Sequence, residues 1–317
     1  MLALARYIDR GPIQAILVTA TLGLFSLVPI FGFLSVFSGA SVALVTLRHG
    51  PQQGLKIVAG ATIIVMLLMT LLQGGTMLAW IMASLLWIPV WAVSIVLRNT
   101  VSWSLTLMST AVLSLLALLT AYIALGDPVE FWRSTLVSLF DLMASQSGGT
   151  NQIDLQEQLP AIAEWLTGFL VAALALGIVS SIMVARWWQS VLYHPGGFQK
   201  EFHALALPRQ SSIAVLFVLM IATVGPGVLG ALASDFLMTV MIIYAVVGLG
   251  FVHYFVKATN KHVGWLVALY VLLFVALPHA VATLAAVGFS DSWANFRERL
   301  PGYSNKEQSD DRENDQK

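Results

Sequence analysis

Few side chains in this sequence have the type and spacing that chemistry needs. Ionisable residues inside the apolar stretches are rare, and His279, which follows Pro278, is the only one expected near the middle of such a stretch. An ionisable group at that depth usually marks function, although a lone histidine also serves as a hydrogen-bonded structural residue. His194 and His203 lie near Glu201, but their spacing matches no metal signature.

Known catalytic motifs are also missing from the sequence. It has no phosphate-binding glycine loop, no zinc-protease HExxH and no hydrolase GxSxG. The sequence therefore predicts no catalytic residue, no metal site and no cofactor, and we expect a protein that is not an enzyme.

Aromatic rings and broken helices give a second kind of candidate site. In WIMASLLWIPVW, residues 80–91, three tryptophans fall on one helical face, and Pro89 predicts a kink because it lacks a backbone donor. In VGPGVLG, residues 224–230, a proline between two glycines predicts a helix break, which at depth needs protein or a watery cavity around it. Plain packing is the alternative in both places. The candidate residues of a ligand cavity are Trp80, Trp87, Trp91, Gly225, Pro226 and His279.

The composition indicates that the elements carrying these residues are surrounded by lipid. Of 317 residues, 58% are hydrophobic and only 10% are charged, with a mean hydropathy of +0.83. A soluble domain carries about 25% charged residues, so lipid must surround most of this chain. The absence of cysteine excludes disulfides, thiolate metal sites and cysteine nucleophiles. The formal net charge of zero gives no basic field for nucleic acid.

Apolar segments of crossing length predict an all-α, polytopic transmembrane bundle over residues 1–290. A crossing helix needs about 20 apolar residues, and we expect nine such helices, with eight or ten as alternatives. They lie at residues 12–29, 31–47, 55–73, 77–97, 102–126, 161–186, 211–232, 236–256 and 264–288. The first two form one stretch broken near Pro29 and Gly32, so a re-entrant hairpin is an alternative to two spans there.

Lysine and arginine are distributed unequally between the two sides of this bundle. With a cytoplasmic N-terminus, nearly all of them fall on the inner side, and only Arg133 falls in an outer loop. The outer loop at 127–160 is acidic instead. The positive-inside rule therefore predicts a cytoplasmic N-terminus. The side of the C-terminus stays open, because nine helices would put the basic residues of the tail outside.

The outer connection at 127–160 is the longest in the chain. Residues 130–144 mix apolar and polar side chains, which predicts a helix lying on the membrane surface or a capping helix. Residues 145–152 are predicted to form a flexible loop. The polar tail at 291–317 is predicted to be disordered.

The inner connection at 187–210 places aromatic and charged residues side by side. Trp187 and Trp188 end a helix where it leaves the hydrocarbon, and a Pro-Gly-Gly turn follows. Phe198 and Phe202 then recur at helical spacing. We therefore expect this segment to straddle the membrane interface, with docking of a cytoplasmic partner as the alternative.

Small residues recur at every fourth position in several predicted helices. The stripes are Ala15, Thr19, Gly23; Ser35, Gly39, Ala43; and Ala173, Gly177, Ser181, Ala185. Such stripes let helices approach closely, because lipid gives helices no hydrophobic reason to associate and packing must hold them. Internal packing is the first interpretation, and docking of a second protein is the other.

The segment ARWWQSVLYHPGGFQKEFHALALP and the layout around it resemble the YybS-like family of bacterial predicted integral membrane proteins, a domain of unknown function. The resemblance covers roughly residues 5–290, and its most specific residues are Trp187, Trp188, Pro195, Gly196, Gly197, Phe198, Glu201 and Phe202. The first six helices are more remotely similar to the substrate-binding S components of energy-coupling-factor vitamin transporters. In S components an alanine-rich face of the first helix docks the coupling subunit; here that face reads Ala15, Thr19 and Gly23.

The resemblance implies a protein of the bacterial inner membrane that handles a solute or a lipid. Our first hypothesis is that it binds or helps to transport a small molecule or lipid, in a cavity among predicted helices four, six and seven. The second is a non-transporting interaction or assembly protein that presents 127–160 and 187–209 to partners. Expected partners are membrane lipids, a small-molecule ligand and a membrane or cytoplasmic protein, but no nucleic acid. The partner-docking candidates are Ala15, Thr19, Gly23, Trp187, Trp188, Phe198 and Phe202.

Overall fold

The computed structural model describes residues 2–73, 75–147, 153–294 and 296–299. This part of the chain contains no β-strand, which confirms the expected all-α bundle. The α-helices are α1 (Leu2–Ile8), α2 (Pro12–Phe25), α3 (Leu34–His49), α4 (Pro51–Leu71), α5 (Met77–Met82), α6 (Ile88–Thr100), α7 (Trp103–Leu125), α8 (Pro128–Ser147), α9 (Ile153–Tyr193), α10 (Gly197–His203), α11 (Arg209–Val224), α12 (Gly227–Ala258), α13 (Gly264–Val275) and α14 (Leu277–Ala294). Short 3₁₀ turns occur at Pro29–Phe31 and Phe296–Arg299, and a π-helical turn at Ala83–Trp87.

Over the described residues, five helices are long and apolar enough to cross a membrane, judged by length and composition. They are Pro51–Leu71, Met77–Thr100, Trp103–Leu125, Leu159–Tyr193 and Gly227–Ala258. Shorter apolar helices are Pro12–Phe25, Leu34–His49, Arg209–Val224 and Gly264–Val275. At 1.5 Å per residue α2 and α3 are only about 21 and 24 Å long, less than the hydrocarbon thickness of about 30 Å. They pack against each other as a short helical hairpin.

The helices group into two compact units. The first contains the described residues of Met1–Thr110, Leu176–Ser212 and Met241–Lys317, and the second contains Ala111–Ala175 and Ile213–Val240. In the first unit α2 packs against α3 and α4, and α3 packs against α4 and α6.

Small residues allow the close helix contacts of the first unit. A Cβ atom added to Gly39 of α3 would lie 2.5 Å from Ser181 Oγ of α9, so two of the predicted stripes meet each other. Gly248 of α12 and Gly288 of α14 also face each other: a Cβ on Gly248 would overlap the carbonyl of Leu284, and one on Gly288 the carbonyl of Tyr244. These stripes therefore serve packing inside the chain.

The boundary expected between the spans at 211–232 and 236–256 lies earlier in the chain. α11 ends at Val224, and α12 runs unbroken from Gly227 to Ala258. Pro226 separates the two because it has no amide hydrogen for a helix. Asp235, at the position between these two expected spans, lies inside α12 instead. The preceding Ser234 hydroxyl donates to the Gly230 carbonyl (2.9 Å) within that helix.

The outer connection is more helical than expected. The surface helix expected at 130–144 lies within α8, which continues to Ser147, so the beginning of the expected flexible loop at 145–152 is helical. The rest of that loop, 148–152, lies outside the described residues. α9 then begins at Ile153 and is 41 residues long, with Pro160 inside it. Its first turns are rich in leucine, glutamine and glutamate, which are good helix formers.

The span expected at 264–288 consists of two helices. Ala276, with φ −128° and ψ 47°, leaves helical geometry after α13. Pro278 then lies in the first turn of α14, where its missing amide hydrogen costs no intrahelical bond. α14 continues to Ala294, so the beginning of the tail expected to be disordered at 291–317 is folded. Residues 300–317 lie outside the described part of the chain.

Arg297 fixes the end of α14 within the first unit. It is 7% exposed, its Nε donates to Asp291 Oδ2 (2.8 Å), and its other nitrogens donate to the carbonyls of Leu205 (2.6 Å) and His203. Residue 297 therefore lies beside the connection at 187–210. The side of the C-terminus was left open by the sequence, and the contacts of Arg297 place the chain at residue 297 at the end where that connection lies.

Candidate functional site

Basic residues of the first unit gather where several helices end. We call this region the basic end and define it by Arg10, Arg48, Arg98, Arg186 and Lys257. Contacts tie its parts together: Arg98 donates to the Leu47 carbonyl, Arg48 donates to the Tyr193 hydroxyl, and Lys257 Nζ lies 3.5 Å from Gln199 Oε1. These are residues that the positive-inside rule assigned to one face.

A cleft of about 550 Å³ opens at the basic end, between the corner that joins α1 to α2 and the corner that joins α3 to α4. Its floor is apolar and consists of Ile8, Val45 and Ile57, which are all buried. Its polar border includes the exposed side chains of Arg10, His49 and Lys56. An apolar floor beneath convergent polar groups is the usual form of a small-ligand site.

Two Gly-Pro corners shape this cleft. Pro12 and Pro51 occupy the first positions of α2 and α4, where a missing amide hydrogen is tolerated. Gly50 has φ +99°, in the region that favours glycine, which allows the sharp reversal between α3 and α4. A sequence signal for this site is a short repeat, RGPIQ at 10–14 and HGPQQ at 49–53. The ligand-cavity residues predicted from the sequence did not include it.

Among the described residues that line the cleft, the one carboxylate, Asp9, already has partners. Asp9 accepts from Arg48 and from the Tyr193 hydroxyl, and His49 Nε2 lies 3.3 Å from its Oδ1. Burial lowers the pKa of His49, and the positive charges of Arg48 and Arg98 lower it further. At neutral pH His49 is therefore uncharged, while Arg48 compensates Asp9.

Arg10 and Lys56 have no carboxylate partner among the residues that the structure describes. No ion pair joins either of them to another residue in the described part of the chain. Since Asp9 is compensated and His49 is neutral, the cleft carries a net positive charge from these two side chains.

The connection at 187–210 is bound tightly to helices of the first unit, to which it belongs. Arg186 donates from Nε and Nη2 to both oxygens of Glu201 (2.6 to 3.1 Å), and Trp103 Nε1 donates to Glu201 Oε2 (2.9 Å). Burial alone would raise the pKa of Glu201, but the hydrogen bonds from Arg186 and Trp103 and the charge of Arg186 outweigh it and lower that pKa. Glu201 therefore anchors α10 to α7 and α9.

The four aromatic candidates for partner docking in this connection are not equally available. Trp187 is 40% exposed, whereas Trp188 is 1% exposed and stacks on Phe37 with a centroid distance of 6.2 Å. Phe198 and Phe202 are half-buried and stack on each other at 5.9 Å. Most of this aromatic surface is used to hold the connection against the chain's own helices.

The three candidates on the first predicted helix also face inward. Ala15 and Thr19 are fully buried in α2. A Cβ atom added to Gly23 would lie 2.8 Å from Met82 Cε and 2.9 Å from Trp87 Cζ2. This stripe is covered by neighbouring helices of the first unit, so the packing interpretation accounts for it.

The tryptophans proposed to line a ligand cavity point in different directions. Trp87 is 0% exposed and its indole nitrogen donates to Ser38 Oγ (2.9 Å), which itself donates to the Thr19 carbonyl (2.7 Å). Trp91 Nε1 donates to the Pro51 carbonyl (2.9 Å), and Trp80 is 60% exposed. The π-helical turn at Ala83–Trp87 supplies the irregularity predicted at Pro89. Trp87 and Trp91 therefore bond to neighbouring helices and Trp80 is exposed, so the three rings do not border one shared space.

The other cavity candidates lie apart from these rings. Gly225 and Pro226 belong to the second unit and form the break between α11 and α12. His279 belongs to the first unit, is exposed in α14, and its carbonyl accepts from the Thr283 hydroxyl (2.8 Å).

The second unit contains a buried carboxylate inside α12, at a position between two of the expected spans. Asp235 is 5% exposed and accepts a hydrogen bond from the Tyr122 hydroxyl (2.8 Å). Gly168 of α9 allows this approach, since a Cβ there would lie 2.7 Å from Asp235 Oδ1. Nearby, Trp132 Nε1 of α8 donates to Thr167 Oγ1 (2.9 Å). These bonds join α7, α8, α9 and α12 within the second unit.

Comparison with known proteins identifies a family without a described activity. A family model described as "Predicted membrane protein (DUF2232)" matches residues 15–292. Comparisons with curated proteins and with solved structures give no match. The matched region includes the second unit, most of the first unit, the connection at 187–210 and five of the ten residues that line the cleft. The chain therefore belongs to the DUF2232 family of predicted membrane proteins.

Proposed function

We propose that this protein is a multi-pass protein of the bacterial inner membrane that binds, and helps to transport, a small molecule or lipid. Its N-terminus lies in the cytoplasm, and it catalyses no reaction itself. The distribution of lysine and arginine supports this orientation. Energy for transport comes from a partner or a gradient, since the sequence carries no ATP-binding motif.

The main support for this proposal is the cleft at the basic end. Its volume of about 550 Å³ lies within the range of about 300 to 1,000 Å³ that is usual for small-molecule sites. It replaces the region around Trp87 as the favoured ligand site, because the Trp87 ring is enclosed by its own helices. Its apolar floor and charged border suit an amphiphilic or anionic ligand.

Filling the cleft tests this proposal without assuming the chemistry of the ligand. Gln53 lines the cleft, whereas its neighbour Gln52 is exposed and does not line it. We expect a lipid and metabolite extract of the source membrane to raise the unfolding temperature of the purified wild type and of Gln52→Trp, but not of Gln53→Trp. Native mass spectrometry then identifies the bound component. If no component of the extract binds the wild type, or if Gln53→Trp binds equally well, the proposal is wrong.

A second function, as an interaction or assembly protein, is favoured by one surface. Leu139 and Leu142 are exposed on α8, within the outer connection at 127–160. Exposed leucines on a helix next to a membrane suit contact with lipid or with another protein. Photo-crosslinking from position 139 in native membranes distinguishes the two, because a protein partner gives a discrete adduct of higher mass and lipid does not.

A further inference from the structure

The cleft at the basic end has a charge pattern that indicates the class of its ligand. We propose that the cleft binds the phosphate group of an anionic ligand, either a lipid headgroup or a phosphorylated solute, through Arg10 and Lys56. This inference rests on the proposed function and deepens it, since it names the chemistry of the ligand.

The two cations are free to bind an external anion. Arg10 and Lys56 are exposed at the border of the cleft and form no ion pair within the described residues. Asp9, the carboxylate beside them, is already held by Arg48, Tyr193 and His49. A guanidinium binds phosphate with two parallel hydrogen bonds, and an ammonium adds a compact charge.

The two helices that begin at the cleft add to this positive potential. α2 begins at Pro12 and α4 at Pro51, and in neither does a side chain cap the first turn. The first turn of a helix has free amide hydrogens and a partial positive charge, so an anion nearby is stabilised. Gly11, Pro12 and Gln53 of these first turns line the cleft.

The floor of the cleft explains why an amphiphile would fit as well as a soluble ester. Ile8, Val45 and Ile57 present apolar surface below the cationic border. A glycerophosphate placed against it would keep its phosphate at Arg10 and Lys56 and its carbon atoms on the floor. A phospholipid and a soluble phosphate ester share this chemistry, and the test below separates them.

Thermal unfolding and native mass spectrometry of the full-length protein in maltoside detergent, which contains no phosphate, provide the test. The probes are phosphatidylglycerol, glycerol 3-phosphate and oleate, the last being an anionic amphiphile without phosphate. The variants are Arg10→Gln/Lys56→Gln and a control of equal charge change, Arg6→Gln/Lys261→Gln. The control residues are exposed cations that do not line the cleft. A third variant, Arg10→Lys/Lys56→Arg, keeps the charges and shows whether the site tolerates altered geometry.

We expect phosphatidylglycerol or glycerol 3-phosphate to stabilise the wild type and the control, and oleate to have much less effect. The cleft variant should bind the effective probe at least about tenfold more weakly, since losing contacts to a charged group costs about 1.5 to 3 kcal/mol and 1.4 kcal/mol is tenfold. The charge-keeping variant should recover most of the binding. Stabilisation by phosphatidylglycerol alone identifies a lipid headgroup, and stabilisation by glycerol 3-phosphate identifies a soluble ester.

Three results would overturn the inference: binding by the cleft variant equal to that of the control, an effect of oleate equal to that of the phosphate probes, or no effect of either phosphate probe on the wild type. If the membrane extract still stabilises the wild type but not Gln53→Trp, the proposed function stands and only the phosphate assignment fails. If the extract has no effect either, both fail.

Discussion

Glu201, which is half-buried, and Asp235, which is buried, are compensated in different ways. Glu201, in the connection at 187–210, faces Arg186 and the indole of Trp103. Asp235, inside α12, accepts from the hydroxyl of Tyr122 and forms no ion pair with another described residue. A buried charge without a cation costs far more than one with an ideal partner. Glu201 is therefore suited to hold structure, whereas the described side-chain partner of Asp235 is a neutral hydroxyl.

Glu201 should make the stability of the protein depend on pH in the acid range. Its pKa in the folded state lies below the ordinary value of 4.5, so the stabilisation is fully present above pH 4.5 and is lost as pH falls through the folded pKa. We expect Glu201→Gln to be less stable at pH 7 by about 1.5 to 3 kcal/mol, the usual range for bonds to a charged group. Its unfolding temperature should also fall less than that of the wild type between pH 7 and pH 4.

The matched control for this comparison is Glu130→Gln. Glu130 also faces an arginine, Arg133 at 3.1 Å, but both side chains are exposed, and such pairs contribute only about 0 to 1 kcal/mol. Unfolding is followed by tryptophan fluorescence across the pH series. Parallel pH curves for the wild type and Glu201→Gln would show that Glu201 does not hold the connection as described.

Helices in the first unit approach each other closely at glycines, whose side chain is a single hydrogen. Gly39 faces Ser181, and Gly248 faces Gly288, which brings backbone against backbone between α12 and α14. In lipid such contacts replace the hydrophobic drive that holds helices together in water. The short helices α13 and α14 therefore depend on this contact to stay against α12.

Substitution at two glycines distinguishes the effect of close helix contact on stability from the effect of helix propensity. A Cβ on Gly248 would overlap the Leu284 carbonyl, so Gly248→Ala should destabilise the protein by about 1 to 3 kcal/mol, as overpacking does. At Gly177 of α9 a Cβ would meet open space, so Gly177→Ala should be neutral or stabilise by up to about 1 kcal/mol through helix propensity. Thermal unfolding of the two variants side by side provides the measurement. Equal behaviour would mean that α12 and α14 are not in contact at Gly248.

At the scale of the whole molecule, the main topological question is on which side of the membrane each helix ends. Within the first unit, residues 9, 48 and 193 meet, and residue 297 joins the connection at 187–210. The helix pair α13 and α14 thus returns the chain to the end from which α13 starts. A protein with this path has its N-terminus and residue 297 on one side of the membrane.

Cysteine labelling tests this path directly, because the natural sequence contains no cysteine. Single substitutions Arg6→Cys, Lys261→Cys and Phe296→Cys should react with an impermeant maleimide only after the cells are opened. Asp127→Cys, in the acidic outer connection, should react in spheroplasts. Each of these positions is exposed. Reaction of Phe296→Cys from outside would contradict the return of α14 to the basic end, and reaction of Arg6→Cys would contradict the proposed orientation.

The sequence was sufficient to predict that lipid surrounds most of this chain and that its secondary structure is helical. Charged residues are so few that only lipid can surround most of it, and apolar length indicates helices independently of how they pack. The grouping of basic residues at one end could also be predicted, because it follows from the order of loops along the chain. Local polarity was misleading at Asp235, where the hydroxyl of Tyr122, distant in sequence, lets the carboxylate stay inside a helix.

Only the tertiary structure decided which surfaces are free. Thr19, Trp87 and Trp188 have the residue types of docking or cavity sites, yet each is buried against a helix far away in the chain. The cleft forms because two Gly-Pro corners, one before α2 and one before α4, meet in space while Asp9 is neutralised by residues from α3 and α9. The two Gly-Pro corners can be read in the sequence, but their meeting in space cannot, because a contact between distant segments leaves no local pattern. Apolar length and charge order were readable from the residues alone, and the identity of the site was not.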